Sequence, residues 1–472
     1  MTIVRPTDRA GGVVAQPAEM PGSLGQLAAP RIVTELPGPK ARELLELARR
    51  YEPRSMSDQV PMVWARGERV WLEDVDGNAF LDFTSGVLVA NAGHSHPRLV
   101  AAMREQADRV VNTYDFVNEW RPRLAQRLVE ITPPNLDKAV IFTTGAETTE
   151  AAIKLARKFT GRYEIIAFHG AFHGRTYGAM SIGGKRSAAG TKGFGPFLPG
   201  VVFVPFPYCY RCPFGQTPDH CRLHGTEYLD WIVETETEGN VAAVIVETYQ
   251  GAAGSIMAPE GWFPRLEAWC RRHDVLLIID EVQASFGRTG KLFGFEHYGI
   301  TPNLLCLGKG ISSSVPLSAL VGEHRIMDVL TPGSLGSTHG GNAFCSRVAL
   351  ENINVIIEEK LSENAAAVGA VMLQELKALE QRFECLGEVR GLGLVFGLEL
   401  VRSKASREPD AALTQRVVEE AYRRGLLLIA PIGFYGNVLR LAPPLVITEQ
   451  EARLGVRLLA QAIEAAAAAQ AD

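Results

Sequence analysis

A carboxylate and an amine stand at the ends of two apolar runs. Leu276-Leu277-Ile278-Ile279 leads into Asp280-Glu281-Val282-Gln283, and Leu304-Leu305-Cys306-Leu307 leads into Gly308-Lys309-Gly310. Unbroken Leu/Ile runs of this length suit strands buried on both faces of a parallel sheet. In such sheets ligands sit beyond the carboxyl ends of the strands. A carboxylate there is costly to desolvate unless a cation meets it. A buried lysine gives up its proton more readily and becomes an amine nucleophile. Taken singly, Asp280 reads as a helix cap and Lys309 as a surface lysine. Together, about one βαβ step apart, they suit pyridoxal phosphate (PLP), which needs a lysine to form a Schiff base and an aspartate against its pyridinium nitrogen.

The elements that must hold this pair follow from the hydrophobic pattern. Sheet signals begin at Ala139–Phe142 and recur at Ile165–Phe168, Val201–Val204, Val241–Val246, Val275–Ile279 and Leu304–Leu307, with helical patterns between most of them. Such alternation predicts an α/β fold, a mostly parallel sheet with helices on both faces. From about Phe344 the pattern turns helical and then α+β, with Gly391–Gly397 as a strand pair. Val70–Asn78 reads as a hairpin around Asp76-Gly77-Asn78. The chain divides into a floppy Gly/Pro/Ala-rich arm (1–29), a segment packing with the small domain (30–92), a large domain (93–345) and a C-terminal small domain (346–472).

Composition narrows the function classes. The 472 residues are 46% hydrophobic and 21% charged, with a net charge of −5, which is ordinary globular composition with no footprint for nucleic acid or an anionic membrane. No apolar run approaches the ~20 residues of a transmembrane helix. The N-terminus lacks a signal-peptide core. Seven cysteines fit a reducing compartment, and a cytoplasmic location is expected.

Two turns add candidate contacts. Thr143-Thr144-Gly145-Ala146-Glu147 leads from a strand into a helix, and small residues there expose amides at the positive helix end, a ready phosphate site. A nucleotide could use this turn as well as PLP, so a nucleotide-binding α/β protein is a rival reading, although neither Gly-x-Gly-x-x-Gly nor a Walker Gly-Lys-Ser/Thr is present. In Phe168–Thr176, Phe172 can stack on a planar ring or belong to the core, and Arg175 can clamp a carboxylate or sit in solvent.

With these residues in order, the chain resembles the class III aminotransferases of PLP fold type I, which include the 4-aminobutyrate and ornithine enzymes. The resemblance runs from about Pro37 to Glu464. Its most specific stretch holds Asp280-Glu281-Val282-Gln283, Gly287-Arg288-Thr289-Gly290 and Gly308-Lys309-Gly310. It implies a large domain on a mostly parallel seven-stranded sheet, a smaller α+β domain and PLP as cofactor. Lys309 would form the Schiff base and shuttle the proton, and Asp280 would keep the ring nitrogen protonated. Gln283 would bond the phenolic oxygen, and Val282 and Phe172 would sandwich the ring. Thr144, Gly145 and Ala146 would hold the phosphate, with His173 and Glu247 as further cofactor contacts. Thr338 matches a threonine that reaches the neighbouring subunit's phosphate, which implies a homodimer with shared sites, alone or paired into a tetramer. Arg440 matches the arginine for the substrate α-carboxylate, Arg175 one for a distal carboxylate, and Val87 a pocket residue. The implied reaction moves an amino group from an α- or ω-amino acid donor to a 2-oxo acid such as 2-oxoglutarate or pyruvate.

One departure bears on substrate choice. In Glu247-Thr248-Tyr249-Gln250-Gly251-Ala252, Thr248 replaces the family's proline, and Ala252 stands where many ω-aminotransferases carry a glutamate that masks the carboxylate-binding arginine. An unmasked Arg440 favours ligands that bring a carboxylate. It also raises an amino-acid racemase or epimerase on the same scaffold as the alternative. Separately, Cys209-x-x-Cys212 and Cys221-x-x-His224 have zinc-ligand spacing, against the plainer reading of a proline-rich excursion with unrelated thiols.

Overall fold

The computed structural model describes residues 23–56, 59–184, 191–217, 220–221 and 224–469. In chain order the strands are β1 (Trp64–Glu68), β2 (Trp71–Asp74), β3 (Ala79–Asp82), β4 (Lys138–Phe142), β5 (Glu164–Phe168), β6 (Val201–Val204), β7 (Val241–Glu247), β8 (Tyr249–Gln250), β9 (Ile256–Met257), β10 (Leu276–Asp280), β11 (Leu304–Leu307), β12 (Ser318–Gly322), β13 (Leu386–Leu392), β14 (Val395–Leu400), β15 (Leu426–Leu427) and β16 (Val438–Leu441). Seven form one sheet in the order β4-β12-β11-β10-β7-β5-β6. β12 is antiparallel to both neighbours and the other pairs are parallel, as the alternating pattern predicts.

This sheet is covered on both faces, which is why its strands read as continuous apolar runs. Ile165, Ala167, Ile245, Ile278, Leu304 and Leu320 share a cluster with Ala152, Leu155 and Ala156 of the helix Gly145–Thr160. Their alternate neighbours Ile166, Val244, Leu277, Ile279 and Leu305 join Trp262, Phe263 and Leu266 of the helix Trp262–Arg272. Each such Ile, Leu, Val or Phe side chain contributes about 1.5–3 kcal/mol by leaving water, so slipping one strand by a residue would be costly. Register therefore fixes the strand tips: Asp280 stands beside Glu247 on one side and Cys306 on the other.

Two smaller sheets flank this core. β13-β14-β16 is antiparallel, with Arg440 opposite Gly397. β1-β2-β3 is an antiparallel meander, and β15, from the far end of the chain, adds parallel to β3. The β2–β3 turn is closed by Asp74, whose Oδ1 accepts from the amides of Asp76 (2.9 Å) and Asn78 (2.8 Å). Residues 1–22 of the expected arm lie outside the described residues. From Ser23 on the chain is packed rather than floppy: Ser23 Oγ donates to Glu68 (2.7 Å) and Leu24 is buried against the meander. The 345/346 junction falls inside the helix Ala343–Glu358, which packs on the helices Pro97–Ala107 and Trp120–Ile131. Among the described residues no helix is long and apolar enough to cross a membrane.

Candidate active site

The parallel strands end at one edge of the sheet, around a cavity of about 330 Å³. Asp280 closes β10 and Glu247 closes β7, while Lys309 follows β11 in a left-handed conformation, φ 44°. All three line the cavity. Asp280 is buried. Its Oδ2 meets His173 Nδ1 at 2.7 Å, and its Oδ1 accepts from the Val282 amide at 2.9 Å. Burial alone would lower the His173 pKa, but the hydrogen bond and charge of Asp280 outweigh it and raise it, favouring an imidazolium. Burial lowers the Lys309 pKa, with Arg440 adding to the effect and Asp280 opposing it. That enlarges the neutral, nucleophilic fraction of the amine. Glu247 is pushed up to about 7 by burial, against the pull of His173. Its oxygens accept from the amides of Phe172 (3.0 Å) and Gly251 (3.1 Å), so it braces the loop that carries Phe172 and His173.

Opposite these groups lies the head of the helix Gly145–Thr160. Thr144 and Glu147 form a capping box: Thr144 Oγ1 accepts from the Glu147 amide (3.3 Å) and Glu147 Oε2 accepts from the Thr144 amide (2.8 Å). The amides of Gly145 and Ala146 begin the helix and border the cavity, where the helix end favours an anion. A Cβ on Gly145 would lie 2.9 Å from Val282 Cγ1, so only glycine lets the helix head sit this close to β10. Beneath it, Ser318 Oγ donates to the Thr144 carbonyl at 2.7 Å.

Nine of the sequence-predicted residues line this one cavity: Gly145, Ala146, Phe172, His173, Glu247, Asp280, Val282, Gln283 and Lys309. Five do not line it. Thr144 faces the cap. Arg440 is buried behind Gln283, its Nη1 3.5 Å from Gln283 Oε1, and burial pushes its pKa down to about 10. Arg175 is exposed, its guanidinium 5.5 Å from the Phe172 ring centroid. Val87 and Thr338 are exposed, on the turn 85–88 and in the loop before residue 343. Sequence reasoning missed Val89 and the loop Ser314–Leu317 as lining residues. Proximity of Ser314 to Lys309 along the chain was the one signal available. Cys209, Cys212 and Cys221 are free thiols, and the last two add to the burial that raises the Cys209 pKa. Among the described residues no group of three His, Cys, Asp or Glu could hold a metal ion, and the His224 side chain lies outside the described atoms.

The residues present fit a planar, anionic cofactor. An amine and a buried, histidine-braced carboxylate face one cavity with a helix head, and Gly145 leaves no side chain to block that head. On a mostly parallel seven-stranded sheet, this is a PLP enzyme of fold type I. Residues 53–463 match the class III aminotransferase family model, and the chain belongs to that family. It is 36% identical over 444 residues to an alanine/serine racemase of Pyrococcus horikoshii, covering 92% of this chain and 93% of that one. It is 36% identical over 436 residues to a 4-aminobutyrate aminotransferase of Mycobacterium leprae, covering 91% and 97%. A thermostable (S)-enantioselective omega-transaminase of Thermomicrobium roseum superimposes with a TM-score of 0.84 at 35% identity, covering 90% of this chain and 98% of that one. The protein is a PLP-dependent aminotransferase, moving an amino group from an amino donor to a 2-oxo acid.

Proposed function

We propose that its substrates carry a carboxylate beside the reacting carbon, and that Arg440 holds that carboxylate. The observation that carries this reading is an unmasked arginine. Arg440 is buried, no carboxylate among the described residues lies within ion-pair distance of it, and Ala252, with no charge to offer, lines the cavity. A buried, unpaired guanidinium is costly until an anion meets it. When bound, PLP supplies the aldehyde that captures the donor nitrogen and a ring that accepts electrons from the donor Cα. Lys309 Nζ takes and returns the proton at that carbon, in keeping with its lowered pKa. Asp280, oriented by His173, would hold the cofactor's ring nitrogen in its cationic form. Gly145, Ala146 and Thr144 would hold its phosphate, Gln283 its phenolic oxygen, and Phe172, Val282 and Glu247 would be further contacts of the ring. Arg175 and Val87 act on the distal part of the substrate.

The same reading makes the enzyme a homodimer, with Thr338 of each chain serving the other's phosphate. Exposure of Phe116 (79%) and Val117 (80%), with Val110, Val111 and Tyr114 exposed nearby along the chain, supports a covering partner. Seven free cysteines support a cytoplasmic location. The division at residues 30–92, 93–345 and 346–472 is kept as the domain plan.

Half-reactions test the proposal. The purified protein should show the visible band of a lysine-bound cofactor, and Lys309→Ala should lack it. Amino acids should discharge that band at least tenfold faster than carboxylate-free amines. Equal rates for both donor classes would overturn the carboxylate assignment. One enantiomer incubated without oxo acid should keep its optical purity; loss at turnover rate would favour a racemase.

A further inference from the structure

Four consecutive residues beside the cavity run through left-handed backbone: Ser85 (φ 48°), Gly86 (57°), Val87 (66°) and Leu88 (61°). Glycine enters this region freely; Ser, Leu and β-branched Val do not. Such strain persists only where the surroundings over-determine it. Thr84 caps the turn through the Gly86 amide (2.9 Å), and Asp82 Oδ1 accepts from both the amide and the hydroxyl of Thr84 (2.7 Å each).

The remaining restraint comes from a distant, fully buried arginine. Arg288 is 0% exposed. Its Nη2 donates to Asn91 Oδ1 (2.7 Å) and Ser85 Oγ (3.2 Å), at either side of the turn. Its Nη1 donates to the carbonyls of Pro443 (2.6 Å) and Leu394 (2.9 Å). Ser85 Oγ donates in turn to the Ala442 carbonyl at 2.6 Å. Among the described residues no carboxylate forms an ion pair with Arg288, so the planar fork is used to join three segments rather than to neutralise a charge. Two of those acceptors, Ala442 and Pro443, directly follow β16, two and three residues after Arg440. On the other side of the turn, Leu88 packs with Ala442 and Tyr249, and Val89 lines the cavity.

We propose that Arg288 is a positioning residue that clasps the left-handed turn Ser85–Leu88 to the end of β16 and thereby sets the Arg440 guanidinium and the Val89 wall for the donor's carboxylate. This rests on the reading of Arg440 as the carboxylate anchor.

Ser85→Ala removes the bridge to Ala442 while leaving every charge in place. In the holoenzyme it should raise KM for an α-amino acid donor about tenfold, the size of one hydrogen bond at a charged site. The kcat, the visible band and KM for a carboxylate-free amine should stay within twofold. Arg288→Lys, which keeps the charge but loses the fork, should give the same split, and if it folds poorly the Ser85 variant decides. Combined with Arg440→Met, Ser85→Ala should add nothing further. An equal loss for both donors, or full additivity with Arg440→Met, would overturn the clasp while leaving the anchor standing. If Arg440→Met alone leaves the amino-acid KM unchanged, the anchor falls and the clasp with it.

Discussion

The two ends of the cavity are built differently. At the proposed cofactor end Asp280 and Glu247 are paired on the tips of neighbouring strands and Lys309 comes two residues after the next strand, so their spacing is largely set by one hydrogen-bonded sheet. At the carboxylate end nothing is shared in that way. Arg440 comes from the three-stranded sheet, Ala252 from the turn between β8 and β9, and the Ser85–Leu88 turn from the meander. A ladder holds side chains rigidly, while an assembly of separate pieces is held by its contacts. On the assignment proposed above, chemistry would rest on the stiff part and substrate choice on the part that can change without disturbing it.

Four substitutions probe this separation, beginning with the largest effect. Lys309→Ala should lower turnover by ~10⁴-fold or more with every donor, because proton transfer and nucleophilic capture fall together. Asp280→Asn should cost roughly 10²–10³-fold, as loss of one preorganised electrostatic partner does, again regardless of donor. His173 would lose its counter-charge, so its imidazole should titrate at lower pH in the variant than in the parent, as read from its NMR signal. Arg440→Met should behave otherwise. Amino-acid donors should lose about 10²-fold in kcat/KM, in line with removing one partner of a buried charge pair, with carboxylate-free amines spared. A common loss would mean that the two ends are not separable. Ala252→Glu should shift the ratio of ω-amino to α-amino donors by about tenfold, or about 1.4 kcal/mol; an unchanged donor profile would detach Ala252 from substrate choice.

The same contrast explains what could be read before any coordinates. The strand tips were legible because Leu276–Asp280 and Leu304–Lys309 are local patterns, and the sheet had to place local ends together. The helix head at Thr144 was legible from its small residues. Val89 was not, since a valine in an apolar run carries no sign that the preceding turn is left-handed. The Ser314–Leu317 loop was missed because its hydroxyls and apolar side chains have no intrinsic chemistry. Arg288 was visible as part of a motif, but its four acceptors lie between residues 85 and 443 and no spacing rule links them. Leu24 was assigned to a loose arm because composition cannot show that one leucine finds a buried site.

A last effect, on stability instead of turnover, tests whether the ladder's rigidity has an electrostatic cost. Glu247 and Glu281 are both pushed up to about 7 by burial, from an ordinary value of 4.5. A folded-state pKa above the unfolded one means the native form binds the proton more tightly. That contribution to stability is fully present below pH 4.5 and is lost as pH rises through about 7. The cofactor-free protein should therefore lose Tm between pH 5 and pH 8. Glu247→Gln, uncharged throughout, should flatten that slope by an amount equivalent to about 1–3 kcal/mol. Glu281→Gln should flatten it too, but Glu281 accepts from the Gly294 (2.8 Å) and Phe295 (2.9 Å) amides away from the cavity. Asp280→Asn should reduce both contributions, because the Asp280 charge helps to raise both carboxyls, and only Glu247 also feels the opposing charge of His173. Calorimetry of the single and double variants at the two pH values separates these terms. A Glu247→Gln slope matching the parent's would show that the strand tip carries its charge at no cost to the fold.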